Sequence, residues 1–118
     1  MKESILKTKS YKFALEIIKL SKSLSDKKEF ILLKQLIKSG TVIGALIREA
    51  EFGQSKKDFI NKMNIGLKEA NETLYWLDLL KDSEYVENDI YENLKSQCLE
   101  LVAMLVSTIK TSKKNLEN

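Results

Sequence analysis

The sequence predicts an all-α fold, an antiparallel four-helix bundle in up-down-up-down order. Apolar residues recur at three- and four-residue spacing through four long segments, and short polar breaks separate them. Proline is absent and glycine occurs only four times, so few tight turns are expected. A length of 118 residues with 43% hydrophobic content suits one domain, residues 1–118, around one core.

The first helix is predicted to begin at Ser4 or Lys7 and to end at Leu24. Three further apolar residues lie beside its main stripe and widen it, while its lysines fall mostly on other faces. A turn is expected at residues 25–28, with Ser25 as a candidate cap for the next helix. The main stripe consists of Phe13, Ile17, Leu20 and Leu24, and the flanking residues are Tyr11, Leu15 and Ile18.

The second helix is predicted from Lys28 to Glu51. Gly40 and Gly44 share one of its faces, and each costs about 1 kcal/mol of helix stability relative to alanine. We therefore expect close packing by a neighbouring helix at both glycines. The alternative is a break at residues 39–41. The apolar residues on both sides of the glycines keep the same helical spacing, however, and this favours one continuous helix. Its seam is Leu33, Leu36, Gly40, Ile43, Ile47 and Ala50.

The break at residues 52–54 separates the second helix from the third. Gly53 suits a left-handed residue after a helix, and Ser55 with Asp58 resembles a capping box. The third helix is predicted from Lys56 to Lys81. Its seam is Phe59, Met63, Gly66, Ala70, Thr73, Leu77 and Leu80, which Ile60, Leu67 and Leu74 widen.

The third helix carries a second stripe, well away from its seam, that includes the only tryptophan. One stripe is enough to fold a bundle, so a second one predicts a surface buried by another subunit. The alternative is a wide core face with one partly exposed aromatic. The candidate oligomer interface consists of Ile65, Glu72, Trp76 and Leu79.

The fourth helix is predicted from Asp89 to Lys113, after a polar connection, with Asn88 as its cap. Residues 113–118 are expected to fray. Cys98 falls beside the seam and is predicted to be a small core residue. The seam is Ile90, Leu94, Gln97, Leu101, Met104, Leu105 and Thr108.

The composition removes the commonest catalytic and metal-binding chemistries. The chain has no histidine and one cysteine, so an internal disulfide, a Cys/His zinc site and a Ser-His-Asp triad are excluded. A general base in an enzyme would have to be Asp, Glu, Lys or Tyr, with Glu49 and Glu69 as candidates, and the sequence establishes no buried acid pair. We expect no catalytic residue, metal or cofactor. Arg48 is expected to form a helix–helix salt bridge near Glu49 and Glu51.

Charge is concentrated near the N-terminus. Residues 1–28 hold eight lysines against three acids, although the whole chain carries only +3. Clustered cations are typical of nucleic-acid binders, whereas the alternative is a solvated helix face. The longest apolar run is six residues, and no signal peptide or membrane-spanning segment is expected, so a cytoplasmic location is predicted. The candidate nucleic-acid contacts are Lys2, Lys7, Lys9, Lys12, Lys19 and Lys22.

Two segments, residues 35–50 and 55–80, resemble a bacterial four-helix-bundle family first associated with proteins encoded in intervening sequences of large-subunit ribosomal RNA genes. This ribosomal-protein-like family also includes the accessory variability proteins of diversity-generating retroelements. The similarity extends over about residues 11–110. The matching residues are Gln35, Ser39, Ile43, Ala45, Ile47, Glu49, Ala50, Ser55, Lys57, Phe59, Leu67, Glu69, Ala70, Glu72, Thr73 and Trp76.

The resemblance implies an antiparallel bundle and a homo-oligomer, with a pentameric ring as the favoured form. Retroelement members of the family imply contact with RNA and a reverse transcriptase. One departure is Leu46, where the family commonly carries asparagine, so a function that needs that polar group is lost. The predicted function is a non-enzymatic oligomeric scaffold that binds RNA or a nucleic-acid enzyme through the basic first helix. The alternative is a protein-interaction module without nucleic-acid binding.

Overall fold

The computed structural model describes the backbone of residues 2–117 and the side chains of residues 5–116. Over that range the chain forms four helices and no strand. Each helix packs on its two neighbours in the order α1–α2–α3–α4–α1, and the diagonal pairs have no Cα atoms within 8 Å of each other. The bundle measures 51 × 22 × 20 Å, and the predicted fold class is confirmed. The helices are α1 (Lys2–Asp26), α2 (Phe30–Glu51), α3 (Lys56–Asp82) and α4 (Asn88–Glu117).

The core follows the predicted seams of α1, α2 and α3 closely. On α1 the main stripe is buried, but Tyr11, Leu15 and Ile18 are 56%, 51% and 37% exposed, so they do not widen it. On α4 the predicted start of the seam is wrong by one residue, because Ile90 is 43% exposed and Tyr91 is buried. Tyr91 is accommodated because its hydroxyl donates a hydrogen bond to Asp78 of α3.

α2 is continuous through both glycines, as its apolar phase predicts. By length and composition alone it is apolar enough to cross a membrane. The central helix of a bundle meets the same criterion, and here α2 buries one stripe against α1 and α3.

The α1–α2 turn differs from the prediction in its capping residue. Ser25 lies within α1, and Glu29 caps α2 through its carboxylate, which accepts from Leu32 N at 2.9 Å. Lys28 adopts a φ of 61° in this turn. A carboxylate near a helix start is also favoured by the helix dipole, which explains why Glu29 serves here.

Gly53 does not adopt the left-handed conformation expected of it, since no glycine of the described chain has positive φ. The lack of space for a side chain explains why position 53 is a glycine. A Cβ atom at Gly53 would lie 2.9 Å from Asp58 Oδ2 and 3.1 Å from Ala50 O. The residue that ends α2 is Phe52, whose backbone has φ −104° and ψ 19°.

α4 is longer than predicted at both ends. Its first backbone hydrogen bond runs from Tyr91 N to Glu87 O, so Glu87 is the cap and Asn88 lies inside the helix. At the other end the helix continues through Glu117 rather than fraying at Lys113. The extension adds Lys114 to the two lysines, Lys110 and Lys113, that the predicted helix already contained.

Candidate nucleic-acid and assembly surfaces

The six candidate lysines of α1 do not form one uniform surface. Lys2 lies outside the described side chains. Lys7 Nζ pairs with Glu51 of α2 at 2.8 Å, and Lys9 Nζ pairs with Glu100 of α4 at 3.0 Å. These two lysines tie α1 to its neighbours and are partly neutralised, so they are poorly placed to bind a ligand phosphate.

Lys12, Lys19 and Lys22 are exposed on α1. At about 100° per residue they fall within a sector of roughly 80°, and they span about 15 Å along the helix axis. Lys12 also lines a cavity of about 150 Å³ between α1 and α4, together with Gln97 of α4. A row of lysines of this kind neutralises phosphates along a backbone without reading its sequence.

The candidate interface stripe on α3 is only partly covered by the bundle. Ile65 is 37% exposed, whereas Glu72, Trp76 and Leu79 are half-buried. The Trp76 indole packs against the core, and its Nε1 donates to Glu72 Oε1 at 3.4 Å. The Tyr75 ring meets it edge-on with centroids 5.0 Å apart.

Two contacts of α3 show which neighbouring helix the candidate interface stripe lies beside. Ala70 O accepts from Cys98 of α4 at 3.3 Å, and Thr73 Oγ1 lies 2.9 Å from Ser39 Oγ of α2. Trp76 is a further 60° round the helix on the α2 side. The interface stripe therefore borders α2, and whether another subunit covers it stays a prediction.

α2 itself retains apolar surface. Only 33% of its most apolar 18-residue window is buried, and Phe30 and Ile31 are 52% and 77% exposed. Exposed apolar residues are the kind of surface that subunit contacts use.

Gly40 and Gly44 lie at the closest approach of α1 to α2. A Cβ atom at Gly40 would be 2.9 Å from Ile17 Cγ1, and one at Gly44 would be 3.3 Å from Ser10 Oγ. Leu46, the departure from the family pattern, is buried and lies near Gly66 of α3. An apolar side chain at position 46 therefore fits its surroundings.

Among the described side chains, Arg48 forms no helix–helix salt bridge of the kind expected. Its guanidinium carbon lies 5.9 Å from the ring centroid of Tyr11, a cation–π contact between α2 and α1. Glu51 pairs with Lys7 instead. The reason is that the antiparallel packing places Tyr11 beside Arg48.

The described side chains offer little for catalysis. Among the described side chains, residues 5–116, no group of three or more His, Cys, Asp or Glu is placed to hold a metal. Burial raises the pKa of the Cys98 thiol to about 12, so it is a poor nucleophile. The hydrogen bond to Asp78 raises the pKa of Tyr91. Glu49 lines an open cavity together with Asp58 and Lys62, and the chain contains no histidine.

The fold also gathers cations that the sequence pattern left scattered. Lysines from the first turns of α3 and the last turns of α4 lie at the same end of the bundle as the α2–α3 turn. Because these lysines lie far apart along the chain, the order of charges in the sequence does not show that they form a cluster. The predicted bounds of α3 and α4, aligned antiparallel, already bring Lys56 and Lys57 to the same end as Lys110 and Lys113, and this is the signal that could have found it.

The comparisons with known proteins agree with this architecture. Residues 2–107 match the family described as 23S rRNA-intervening sequence protein. The chain is 51% identical to a protein of unknown function from the S23 ribosomal protein family of Bacteroides thetaiotaomicron VPI-5482, whose crystal structure superposes with a TM-score of 0.91. That similarity covers 93% of this chain and 99% of the other. No curated protein matches. This protein thus belongs to the 23S rRNA-intervening sequence protein family.

Proposed function

We propose that this protein is a non-enzymatic, cytoplasmic homo-oligomer that acts as an RNA-binding scaffold, alone or with a nucleic-acid-processing protein. The observation that carries the proposal is the row of exposed lysines Lys12, Lys19 and Lys22 on α1. Membership of a family named after an intervening sequence of 23S rRNA supports RNA as the ligand.

Binding through such a row depends on phosphate neutralisation. Each lysine that meets a phosphate releases a condensed counterion, so affinity falls steeply as salt is added. These contacts fix the position of an RNA backbone but do not select its sequence. Because the lysines do not select a sequence, recognition of a particular RNA would come from its shape or from a partner protein. This division of roles is why we propose a scaffold.

Assembly is the second part of the proposal. The partly covered α3 stripe around Trp76 and the exposed apolar residues of α2 support self-association. A ring of five is the form that the resemblance described above favours. Such a ring would present the α1 lysines of several copies to one RNA.

The test is RNA affinity measured with a matched charge control. K12Q/K19Q/K22Q removes the α1 row, and K34Q/K38Q/K68Q removes three exposed lysines from α2 and α3. Fluorescence anisotropy with a labelled RNA across a salt series should show weaker binding for the first variant. Its slope of log affinity against log salt should be shallower by about 2. Equal affinities of wild type and the α1 variant at low salt would refute the α1 site.

A protein-interaction module is the second candidate, and one observation favours it. Tyr11 and Leu15 are large apolar residues, 56% and 51% exposed, and Ile18 follows on the same helix. Exposed apolar residues among lysines suit a partner helix as well as RNA. Recovery of a protein partner by pull-down after nuclease treatment, lost in Y11A/L15A, would support this function.

A further inference from the structure

The end of the bundle that contains the α2–α3 turn combines lysines with an exposed aromatic ring. This region, here called the lysine end, comprises residues 48–62 and 110–114. We infer that the lysine end binds single-stranded RNA, with a base stacked on Phe52 and the backbone on lysines of α3 and α4. The inference rests on the proposed RNA-binding function but assigns a site away from the α1 lysine row.

The register of α3 against α4 brings the lysines together. Asp78 meets Tyr91, Ala70 meets Cys98 and Gly66 lies beside Leu105. Continued by about two turns, this antiparallel register sets the first turn of α3 opposite residues 110–114. The lysines so gathered are Lys56, Lys57, Lys110, Lys113 and Lys114, all of them exposed.

Charge differs sharply between the two ends of the bundle. At the α2–α3 turn, residues 5–8, 48–62 and 108–116 hold eight cations and three acids, a net charge of +5. At the opposite end, residues 19–38 and 72–95 hold eight cations and nine acids, a net charge of −1. The molecule is therefore polarised along its 51 Å axis, which orients an approaching polyanion toward the lysine end.

Phe52 is 83% exposed, the highest value among the large hydrophobic side chains described. Its backbone ends α2 by donating to Glu49 O at 3.2 Å, a role that does not need an aromatic side chain. The ring borders an open cavity of about 740 Å³, which Arg48 and Lys62 also line. Nearby, the Arg48 guanidinium carbon lies 5.9 Å from the centroid of the Tyr11 ring, so a cation–π contact already occupies this end of the bundle.

The acids in this cavity favour a base over a phosphate. Glu49 and Asp58 line it together with Phe52, and a carboxylate repels a phosphate but accepts hydrogen bonds from base amino groups. Asp58 Oδ2 also accepts from Gln54 N at 3.3 Å, which holds it in place. With a base in the cavity and phosphates on the outer lysines, the two carboxylates accept hydrogen bonds from the base and the lysines neutralise the phosphates. This arrangement requires an unpaired strand, because bases in a duplex cannot reach the ring.

The test compares a labelled 12-nucleotide unstructured RNA with the same strand in a duplex, by fluorescence anisotropy. F52L keeps an apolar side chain but removes the aromatic face, and F52Y restores one. We expect F52L to weaken single-strand binding about 5- to 100-fold, with little change for the duplex and near wild-type affinity for F52Y. K110Q/K113Q/K114Q should weaken binding and reduce the single-strand salt slope by about 2, whereas the matched K34Q/K38Q/K68Q should not. Circular dichroism verifies that each variant is folded.

The outcomes separate this inference from the proposed function. If the lysine-end variants bind as wild type does while K12Q/K19Q/K22Q loses affinity, the lysine end is refuted and the proposed function stands. If wild type binds neither RNA at low salt, both are refuted. If F52L alters the oligomeric state and not RNA affinity, Phe52 contacts another subunit and the base-stacking role is wrong.

Discussion

At Gly40, a Cβ atom would come within 2.9 Å of Ile17 Cγ1, whereas at Gly66 the nearest side-chain atom would be 3.8 Å away. Ile17 is fully buried, and its γ carbons are held close to its own backbone, so it has little room to move. Both glycines lie within helices, where alanine is favoured by about 1 kcal/mol. The same substitution therefore meets opposite packing conditions at the two sites.

We expect G40A to destabilise the protein and G66A to stabilise it. Overpacking against Ile17 costs about 1–3 kcal/mol, which exceeds the gain in helix propensity. At Gly66 only ordinary contact results, so most of the gain of about 1 kcal/mol remains. Urea unfolding followed by circular dichroism measures both changes. A stabilised G40A would show that α1 yields easily at this contact.

Cys98 is a buried thiol whose Sγ donates to Ala70 O at 3.3 Å. Burial raises its pKa from 9.0 to about 12, because the thiolate would lose hydration. The folded state therefore favours the protonated thiol. This stabilising effect is complete below pH 9 and is lost as the pH rises toward 12.

We expect the free energy of unfolding to fall between pH 9 and 11, by up to about 1.4 kcal/mol per pH unit from this group. C98A removes the titrating thiol, so its stability should decline less over the same range. Urea midpoints of both proteins at several pH values give the comparison, and the difference between them cancels contributions from tyrosines and lysines. Parallel decline of the two proteins would show that the thiol is accessible to water when folded.

At the scale of elements, the start of α3 shows how a short motif fixes a helix boundary. Ser55 Oγ accepts from Asp58 N at 3.1 Å, as the sequence predicts. Asp58 reaches back to Gln54 N rather than to Ser55 N, so the capping box is displaced by one residue. Gly53 fits beside the Asp58 carboxylate because it has no Cβ.

Removal of this cap should weaken the bundle measurably. S55A leaves a backbone N–H of the first turn without its partner, which costs about 1 kcal/mol. S55D restores an acceptor and should recover most of that loss. Thermal unfolding of the three proteins tests the prediction, and a fully stable S55A would mean that water replaces the serine at no cost.

The elements themselves were predictable because their apolar spacing repeats over many turns. Errors fell where one residue decides the outcome: Ile90 against Tyr91 at the seam, and Asn88 against Glu87 at the cap. At the seam, the tertiary contact of Tyr91 with Asp78 selects the residue. The sequence also did not predict that Tyr11 is exposed. A helical wheel shows which residues share a face, but it does not show how much of that face the neighbouring helices cover.

At the scale of the whole molecule, the bundle leaves one side of α3 partly uncovered. Trp76 contacts the core yet keeps part of its surface in solvent, and it lies on the side of α3 that borders α2. The sequence predicted that this stripe exists. Its position on the side of α3 that borders α2 follows only from the packing of the helices.

We expect W76A to weaken self-association more than it reduces helical content. L80A provides the matched control, because Leu80 is fully buried on the same helix and its loss costs about 2–5 kcal/mol of folding stability. Size exclusion with light scattering gives the mass, and circular dichroism gives the helicity and melting temperature. Wild-type assembly of W76A with a lower melting temperature would place the indole's role in the core.

The lysine end could not be predicted from charge along the chain. Residues 55–82 carry no net charge and residues 83–118 are net acidic, so neither segment attracts notice. Folding separates their charges, since the lysines at the start of α3 and the end of α4 meet at one end and most of the acids lie at the other. The site thus depends on register, which sequence periodicity does not supply.

The polarity of charge along the bundle axis has a consequence for avidity. If the α3 stripe is the subunit interface proposed above, it would join copies side by side, and a closed ring would relate them by rotation alone. In a ring whose axis runs parallel to the helices, every lysine end would face the same way. A strand held weakly by one copy would then meet the next at a high effective concentration, so that modest single-site affinity would give tight binding to long RNA and weak binding to short fragments.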